Sequence, residues 1–100
     1  MGTAYTQGVW QVKPGRTEEF VAAWIEFADW TSANVEGSGS RTLFRDLADD
    51  HRFVSAGPWR DVDAIERWRN MAGWSDHMTK LRQLVVRFDA ATLEVVAEGA

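Results

Sequence analysis

The spacing of hydrophobic and polar positions changes several times along the chain, and each change predicts an element. Residues 4–12 alternate imperfectly and carry aromatic and β-branched side chains, which is typical of a strand. The Lys-Pro-Gly sequence at residues 13–15 ends this strand, because proline has no backbone N–H and Pro-Gly favours a turn. From Arg16 to about Ala33 apolar residues recur at helical spacing and acidic residues take the other side, which predicts an amphipathic helix.

The middle of the chain predicts two strands that pair as a hairpin. Residues 41–47 and 52–59 each carry side chains suited to a strand, and the polar tip between them, residues 48–51, is short enough for a tight connection. Pro58 lies near the end of the second strand, where the ladder no longer requires a backbone N–H.

The second half of the chain predicts two helical pieces and a last strand. Asp61 can cap a helix over residues 62–71, Gly73 breaks the helical pattern, and Ser75 can cap a further helix to about residue 87. The apolar stripe of this further helix has four members at helical spacing: Met78, Leu81, Val85 and Phe88. Residues 91–97 predict the last strand.

The predicted order is β-α-β-β-α-β, which indicates the α+β class and a ferredoxin-like plait, a four-stranded antiparallel sheet with helices on one face. The strands carry large groups on both faces, as buried sheets do, so something must cover the open face. A second copy of the chain in a two-fold homodimer is the simplest cover, and it should bury more than about 2,000 Å². The first strand would turn four side chains toward the partner: Tyr5, Gln7, Val9 and Gln11.

Composition narrows the class of protein. The 100 residues predict one domain over 1–100, and 45% hydrophobic with 26% charged residues is globular. The chain has no cysteine, which excludes a disulfide framework, a thiolate metal site and a cysteine nucleophile. The net charge of −4 argues against nucleic acid or an anionic membrane as a partner. No apolar run is long enough to span a membrane, so we expect a cytoplasmic protein.

Several short motifs in order along the chain carry a resemblance to a known family. The motifs are residues 12–15 followed by Glu19-Phe20 and Trp24, then Arg52–Trp59, Ala64–Trp68 and His77. Together they span nearly the whole chain and resemble the antibiotic biosynthesis monooxygenase domain family. The resemblance implies a dimeric α+β barrel, in which two plaits pack sheet to sheet and each subunit has a pocket between its sheet and its helices. Members of that family include cofactor-independent oxygenases of quinol-type compounds and heme-degrading oxygenases.

Two branches of that family can be compared with this chain position by position. The heme-degrading branch has a pocket Trp nine residues after a strand Trp and an axial His nine residues later, and Trp59, Trp68 and His77 repeat that spacing. Its first strand carries an Asn where this chain has Gly8. The quinol-oxygenating branch has an Asn four residues before the strand Trp and a Tyr six residues after it. This chain has Ser55 and an isoleucine there, so neither pattern is complete.

The residues and the resemblance together favour one function and leave two alternatives. We expect a cofactor-independent monooxygenase that combines O₂ with a small aromatic, quinol-type compound, with His77 as base or anion stabiliser. Trp68 would form a stacking wall of the pocket, together with Trp59, Ser55 and Ile65. The alternatives are a heme-binding protein with His77 as axial ligand, and a dimer that binds a small molecule without catalysis. In the alternative without a functional role, His77 only forms a hydrogen bond with the backbone and Trp59 is a plain core residue.

The other tryptophans divide by position. Trp10 and Trp24 follow the strand and helix patterns and are expected in the core, whereas Trp30 and Trp74 fit either an interface or a pocket lid. The arginines on either side of Trp68 are expected on a solvated helix face rather than against an anionic ligand.

Overall fold

The computed structural model describes residues 4–100 and shows strands and helices in the order β-α-β-β-α-α-β. The strands are β1 (Ala4–Val12), β2 (Thr42–Asp46), β3 (Asp49–Trp59) and β4 (Val85–Glu94). The helices are α1 (Thr17–Asn34), α2 (Val62–Arg69) and α3 (Ala72–Arg82). This is the predicted ferredoxin-like plait, in which the second helical part consists of two helices.

The sheet has the strand order β2-β3-β1-β4, and every neighbouring pair is antiparallel. The central strand β1 pairs Val9 with Val54 on one side and with Asp89 on the other. Because side chains alternate across a strand, this register divides the sheet into two faces. We call the face that carries Trp10 the helix face and the face that carries Val9 the open face.

The core lies on the helix face. Phe20 of α1 is completely buried, and its ring centroid lies 5.4 Å from that of Trp10 and 5.3 Å from that of Phe53. The molecule measures 18 Å along its shortest axis, which corresponds to one layer of helices on one sheet. Within residues 4–100, therefore, no second layer covers the open face.

The hairpin is tighter than the sequence predicted. The strand β3 begins at Asp49 rather than at residue 52, so His51 lies in the strand and not in a polar tip. Asp46 closes the turn, because its Oδ1 accepts the backbone N–H of Ala48 at 2.8 Å and its Oδ2 accepts Arg52 Nη1 at 2.9 Å. The backbone bond, followed by the arginine, lowers the pKa of the Asp46 carboxyl below its usual value.

The predicted cap of α2 is confirmed. Asp61 has extended backbone and its Oδ1 accepts the backbone N–H of Ala64 at 2.8 Å, which satisfies one of the donors left open at a helix start. This bond is the main cause that lowers the pKa of the Asp61 carboxyl.

The predicted division of this segment into two helical pieces near Gly73 is confirmed, but the break lies slightly earlier than Gly73 itself. The helices α2 and α3 part at residues 70–71, with Met71 as the N-cap of α3, and both Gly73 and Ser75 lie inside α3. Ser75 therefore caps nothing. The glycine serves packing instead, because a Cβ at position 73 would collide with the indole ring of Trp30 on α1. A residue without a side chain allows the two helices to approach.

The last strand begins earlier than predicted. A helix to residue 87 and a strand over 91–97 were expected, but β4 already starts at Val85 and pairs with β1 along its length. The ring of Phe88 stacks on Trp10 with centroids 4.0 Å apart, so it belongs to the sheet and not to a helix stripe. The expectation failed because a short apolar run fits either period, and pairing with the central strand decides between them.

Candidate functional site

A cavity of about 270 Å³ lies between the helix face of the sheet and the helices. The floor comes from the strands and includes Gly8 and Ser55. The helices supply aromatic and apolar walls: Trp24, Phe27, Trp68, Trp74 and Met78. Arg41, Arg69 and Arg82 also line the cavity, and no aspartate or glutamate of residues 4–100 does. The arrangement is an apolar, aromatic cleft with positive charge.

The floor of the cavity is shaped by a glycine. Trp10 Nε1 donates to Ser55 Oγ at 3.0 Å and so joins β1 to β3. A Cβ at Gly8 would lie 2.9 Å from Ser55 Oγ, from Trp10 Nε1 and from Phe88 Cε1. Any side chain at position 8 would therefore force these three groups apart.

Trp68 of α2 is the wall whose orientation is fixed most firmly. Its Nε1 donates to Thr31 Oγ1 at 3.0 Å, and that hydroxyl donates to the carbonyl of Phe27 at 2.8 Å. Its ring stacks on the ring of Phe27, with centroids 5.5 Å apart and 14° between the planes. A buried indole whose N–H is satisfied in this way holds one position. The predicted stacking wall thus lines the cavity, as does Ser55.

Two other residues assigned to the pocket, Trp59 and Ile65, lie behind its surface. Trp59 is 2% exposed, its Nε1 donates to Thr6 Oγ1 at 2.9 Å, and its ring centroid lies 4.9 Å from that of Trp68. Ile65 is completely buried. Neither is among the described residues that line the cavity, so their contact with a ligand stays a prediction.

His77 of α3 lies one ring away from the cavity. Its imidazole stacks on Phe27 with centroids 5.4 Å apart and 27° between the planes, and it lies 5.4 Å from the ring of Trp30. Phe27 lines the cavity, whereas His77 is not among the described residues that do. The role of His77 as base also stays a prediction.

The sequence left the roles of Trp30 and Trp74 open, and the structure separates them. Trp30 packs between α1 and α3, against Gly73 and His77. Trp74 lines the cavity, with its ring edge-on to Trp68 at 6.1 Å between centroids. Trp74 is therefore part of the wall, and Trp30 joins two helices.

The sequence pattern of the antibiotic biosynthesis monooxygenase family matches residues 4–80, which is more than three quarters of the chain. The chain belongs to this family. The membership expected from the motifs is thereby confirmed. A search of curated proteins by sequence gives no significant match.

Solved structures of the same fold cover nearly the whole chain. One is a single-residue variant of SnoaB, a cofactor-independent oxygenase from Streptomyces nogalater, with a TM-score of 0.88 and 24% identity over 96% of this chain and 95% of that one. A protein of Pseudomonas aeruginosa gives a TM-score of 0.78 at 21% identity over 97% of both chains. A conserved protein of Methanosarcina mazei gives 0.81 at 14% identity over 92% of this chain and 91% of its own.

Arg41 lines the cavity, although the sequence did not indicate a functional role for it. It directly precedes β2, and its guanidinium carbon lies 5.0 Å from the ring centroid of Trp59 and 5.6 Å from that of Trp68. Its Nε and Nη2 atoms are buried and have no hydrogen-bond partner among the described residues. Burial lowers the pKa of Arg41 to about 10, so the group is still a cation at neutral pH.

The placement of Arg41 depends on the register of the hairpin. Thr42 pairs with Ala56, which brings Arg41 beside Gly57 of β3. A Cβ at Gly57 would lie 2.8 Å from Cβ of Arg41, so a glycine is required for the approach. In the sequence Arg41 only follows a Gly-Ser loop, and no local pattern distinguishes it from a solvated residue.

The two arginines beside Trp68, Arg67 and Arg69, differ in their exposure to solvent. Arg67 is exposed, as predicted for a solvated helix face. Arg69 is half-buried and lines the cavity, so the expectation of a solvated position was wrong for it. Arg69 lies at the last residue of α2, where the helix meets the cavity mouth rather than open solvent.

Heme, the alternative cofactor, requires an axial ligand that faces the cavity. The His77 ring packs on Phe27 and Trp30, and the space at Gly8 is enclosed by three other groups. The described residues therefore do not fit a heme held by His77. Residues 4–100 also contain no cluster of three or more His, Asp or Glu side chains that could hold a metal ion.

The helices α1, α2 and α3 are not candidates for membrane spans. Of the three in the described part of the chain, none combines the length and the apolar character that crossing a bilayer requires.

Proposed function

We propose that this family member is a cofactor-independent monooxygenase that oxidises a small aromatic compound of the phenol or quinol type. The observation that carries the proposal is the cavity, with aromatic walls on three helices and arginines but no described carboxylate on its lining. Flat aromatic rings stack well on such walls, and the positive charge suits an ionised phenol. The same fold in SnoaB, described as a cofactor-independent oxygenase, supports the proposal.

The proposed reaction begins with ionisation of the substrate. The phenolate passes one electron to O₂, and the resulting radical and superoxide combine to form a C–O bond. The hydroperoxide then loses water and leaves a carbonyl group. One oxygen atom of O₂ stays in the product and the other departs as water, with the two hydrogens that the phenol has lost. The substrate supplies all four electrons, so no external reductant is required.

The cavity residues would assist in three ways. Nearby arginine cations favour the phenolate over the phenol, which lowers the pKa of the bound substrate. Trp68, fixed by its bond to Thr31, holds the ring in one orientation, and the apolar walls exclude water. Ser55 Oγ accepts the Trp10 bond and can donate its own hydroxyl proton to a substrate oxygen.

Oxygen uptake tests this function. We expect purified protein to accelerate uptake with a dihydroxynaphthalene above the spontaneous rate, in the presence of a metal chelator. With isotope-labelled O₂ the quinone product should gain one labelled oxygen atom. Arg60→Ala, an exposed change near α2, serves as the control and should keep the full rate. Uptake equal to the spontaneous rate with naphthols, naphthalene diols and anthrones alike would refute the proposal.

His77 has two possible duties in this reaction, and its packing favours the supporting one. Stacked on Phe27, the ring would hold that wall in place, so His77→Gln should lower oxygen uptake less than tenfold and leave its pH profile unchanged. A fall of about 10²- to 10⁴-fold with loss of a titration near neutral pH would instead assign His77 the role of base.

We also propose that the protein is a homodimer joined through the open face. The β1 residues expected there are half-buried in the single chain, and they are flanked by exposed apolar side chains, Phe44 at 54% and Leu93 at 42%. Exposed apolar side chains on a sheet face whose charged groups are already paired are typical of an interface between copies. This face is continuous from β2 to β4, and a second sheet could pack on it without disturbing the cavity on the other side.

A further inference from the structure

The buried polar atoms without a hydrogen-bond partner in the described residues share one location and one chemistry. They are Nε and Nη2 of Arg41 and Nε1 of Trp74, and both residues line the cavity. All three atoms are N–H donors. Buried donors without an acceptor are costly, and natural proteins rarely keep them unless a further group satisfies them. These three donors therefore require a hydrogen-bond acceptor inside the cavity.

The two atoms of Arg41 also define the shape of that acceptor. Nε–H and Nη2–H project from the same edge of the planar guanidinium, side by side. Such an edge matches the two oxygens of a carboxylate, which it binds through two parallel hydrogen bonds. A phenolate offers one oxygen atom and would satisfy only part of the edge.

The position of this edge is fixed by its surroundings. The guanidinium lies over the rings of Trp59 and Trp68, and Gly57 lets its backbone approach β3. Trp59 and Trp68 are each held by an indole hydrogen bond to a threonine. A guanidinium stacked on rigid rings loses little further freedom when it binds, which favours affinity.

Charge in the cavity is uncompensated. None of the three lining arginines forms an ion pair with a carboxylate of residues 4–100. Outside the cavity Arg16, Arg52 and Arg87 each lie within 2.9 Å of an acidic partner. In a chain with a net charge of −4, a cavity lined only by cations favours an anionic ligand.

We propose that Arg41 is a carboxylate-binding subsite and that the substrates of this cavity are aromatic acids. The acid group would pair with the Nε–Nη2 edge, and the attached ring would lie against Trp68 and Trp74. The substrate class rests on the proposed oxygenase function, whereas the subsite requires only that the cavity binds a ligand. Trp74 Nε1 would donate to the same carboxylate or to a ring oxygen.

Binding of a matched pair of probes tests the subsite without any turnover. Naphthoate and its neutral isostere naphthamide have the same ring and cannot be oxidised by the proposed route. Calorimetry should show naphthoate binding about 10- to 100-fold more tightly, the range expected for charge-assisted hydrogen bonds in a buried site. Equal affinity of the two probes would overturn the proposal.

Variants of two arginines localise the preference. Arg41→Gln should remove the preference for the acid, and Arg41→Lys should restore only part of it because an ammonium lacks the two-donor edge. Arg45→Gln is the matched control, since Arg45 lies on β2, four residues after Arg41, over the ring of Phe53 at 5.2 Å but is exposed and outside the cavity lining. A preference that survives in folded Arg41→Gln, checked by circular dichroism, would refute the assignment.

The outcomes separate the subsite from the reaction. Tighter binding of naphthoate without oxygen uptake on any quinol would keep the subsite and refute the oxygenase function. Uptake on neutral quinols, with no preference between dihydroxynaphthoate and dihydroxynaphthamide in binding or rate, would keep the function and refute the subsite.

Discussion

The two faces of the sheet differ in whether their charged side chains have partners within the chain. On the open face Arg87 lies 2.9 Å from Asp89, and Arg52 lies 2.9 Å from Asp46. On the helix face Arg41 is stacked on tryptophan rings and its buried N–H groups have no partner in the described chain. The open face therefore satisfies its charges within one chain, whereas the cavity leaves a cation for a ligand.

The faces differ in packing as well. The helix face is built from rings that interlock, such as Trp10 with Phe88 at 4.0 Å, and from glycines that allow close approach. The open face carries half-buried side chains such as Val9 and Gln11, with space between them. Rigid, complete packing suits a site that must orient a small molecule, and an incomplete surface suits a second protein copy.

The largest effect is expected from removing a ring on the cavity side. Trp68→Ala deletes the wall and the bond to Thr31, so it should cost about 3–5 kcal/mol of unfolding free energy and lower oxygen uptake about 10²-fold or more. Ile25→Ala on α1 is the control, because Ile25 is 49% exposed and lies outside both the cavity and the proposed interface, so the change should alter the free energy by less than about 1 kcal/mol. Urea unfolding measures both changes in the free energy of unfolding. Similar costs for the two changes would contradict the rigid packing assigned to the helix face.

The open face is tested by a charge at its centre. Val9→Lys sets an ammonium directly opposite Asp89 in the same chain, so the sheet should tolerate it, whereas burial of the added charge against a second sheet should disrupt the interface. We expect light scattering at micromolar concentration to fall from twice the chain mass to 11.3 kDa. Ile25→Lys, an exposed change on α1, should leave the dimer intact. A wild-type mass of one chain would itself contradict the dimer.

Local patterns predicted most of the fold. Asp61 was recognisable as a cap because its side chain bonds a backbone N–H three residues away, and the hairpin follows from two short strands beside a polar tip. The boundary between α3 and β4 was not recognisable. Val85 and Phe88 fit a helix and a strand equally well, and pairing with β1, some 75 residues distant in sequence, decides the outcome.

The site was predictable only where it follows local periodicity. Trp68 falls on the apolar stripe of α2 and lines the cavity. Arg41 could not be found, because its position results from pairing between β2 and β3 and from the absence of a side chain at Gly57. His77 repeats the spacing from Trp59 and Trp68 that the family resemblance links to a pocket role, yet stacking on Phe27 places it one ring away.

A smaller effect is expected from filling the cavity floor. Gly8→Ala introduces a Cβ 2.9 Å from three heavy atoms of Ser55, Trp10 and Phe88, and this overpacking should destabilise the protein by about 1–3 kcal/mol. The lower flexibility of alanine in the unfolded chain offsets about 0.4–1 kcal/mol of that. Gly99→Ala is the matched control, because a Cβ added there would meet nothing within 4 Å, and it should stay within about 0.5 kcal/mol. A higher melting temperature for Gly8→Ala would show that the floor has room to spare.

The smallest effect is expected at Asp46, whose carboxylate pairs with Arg52 on the open face. The backbone N–H of Ala48 and then Arg52 lower the pKa of Asp46 in the folded chain, so these bonds stabilise the protein fully above the ordinary aspartate pKa of about 3.9. This contribution is lost as the pH falls through the lowered value. Urea midpoints measured from about pH 5 down to about pH 2 should therefore decline less steeply for Asp46→Asn, which keeps an acceptor for Ala48 but cannot be protonated. Asp50→Asn, a neighbour that accepts neither bond, should keep the wild-type slope, and identical slopes for all three proteins would show that Asp46 is not held by its partners.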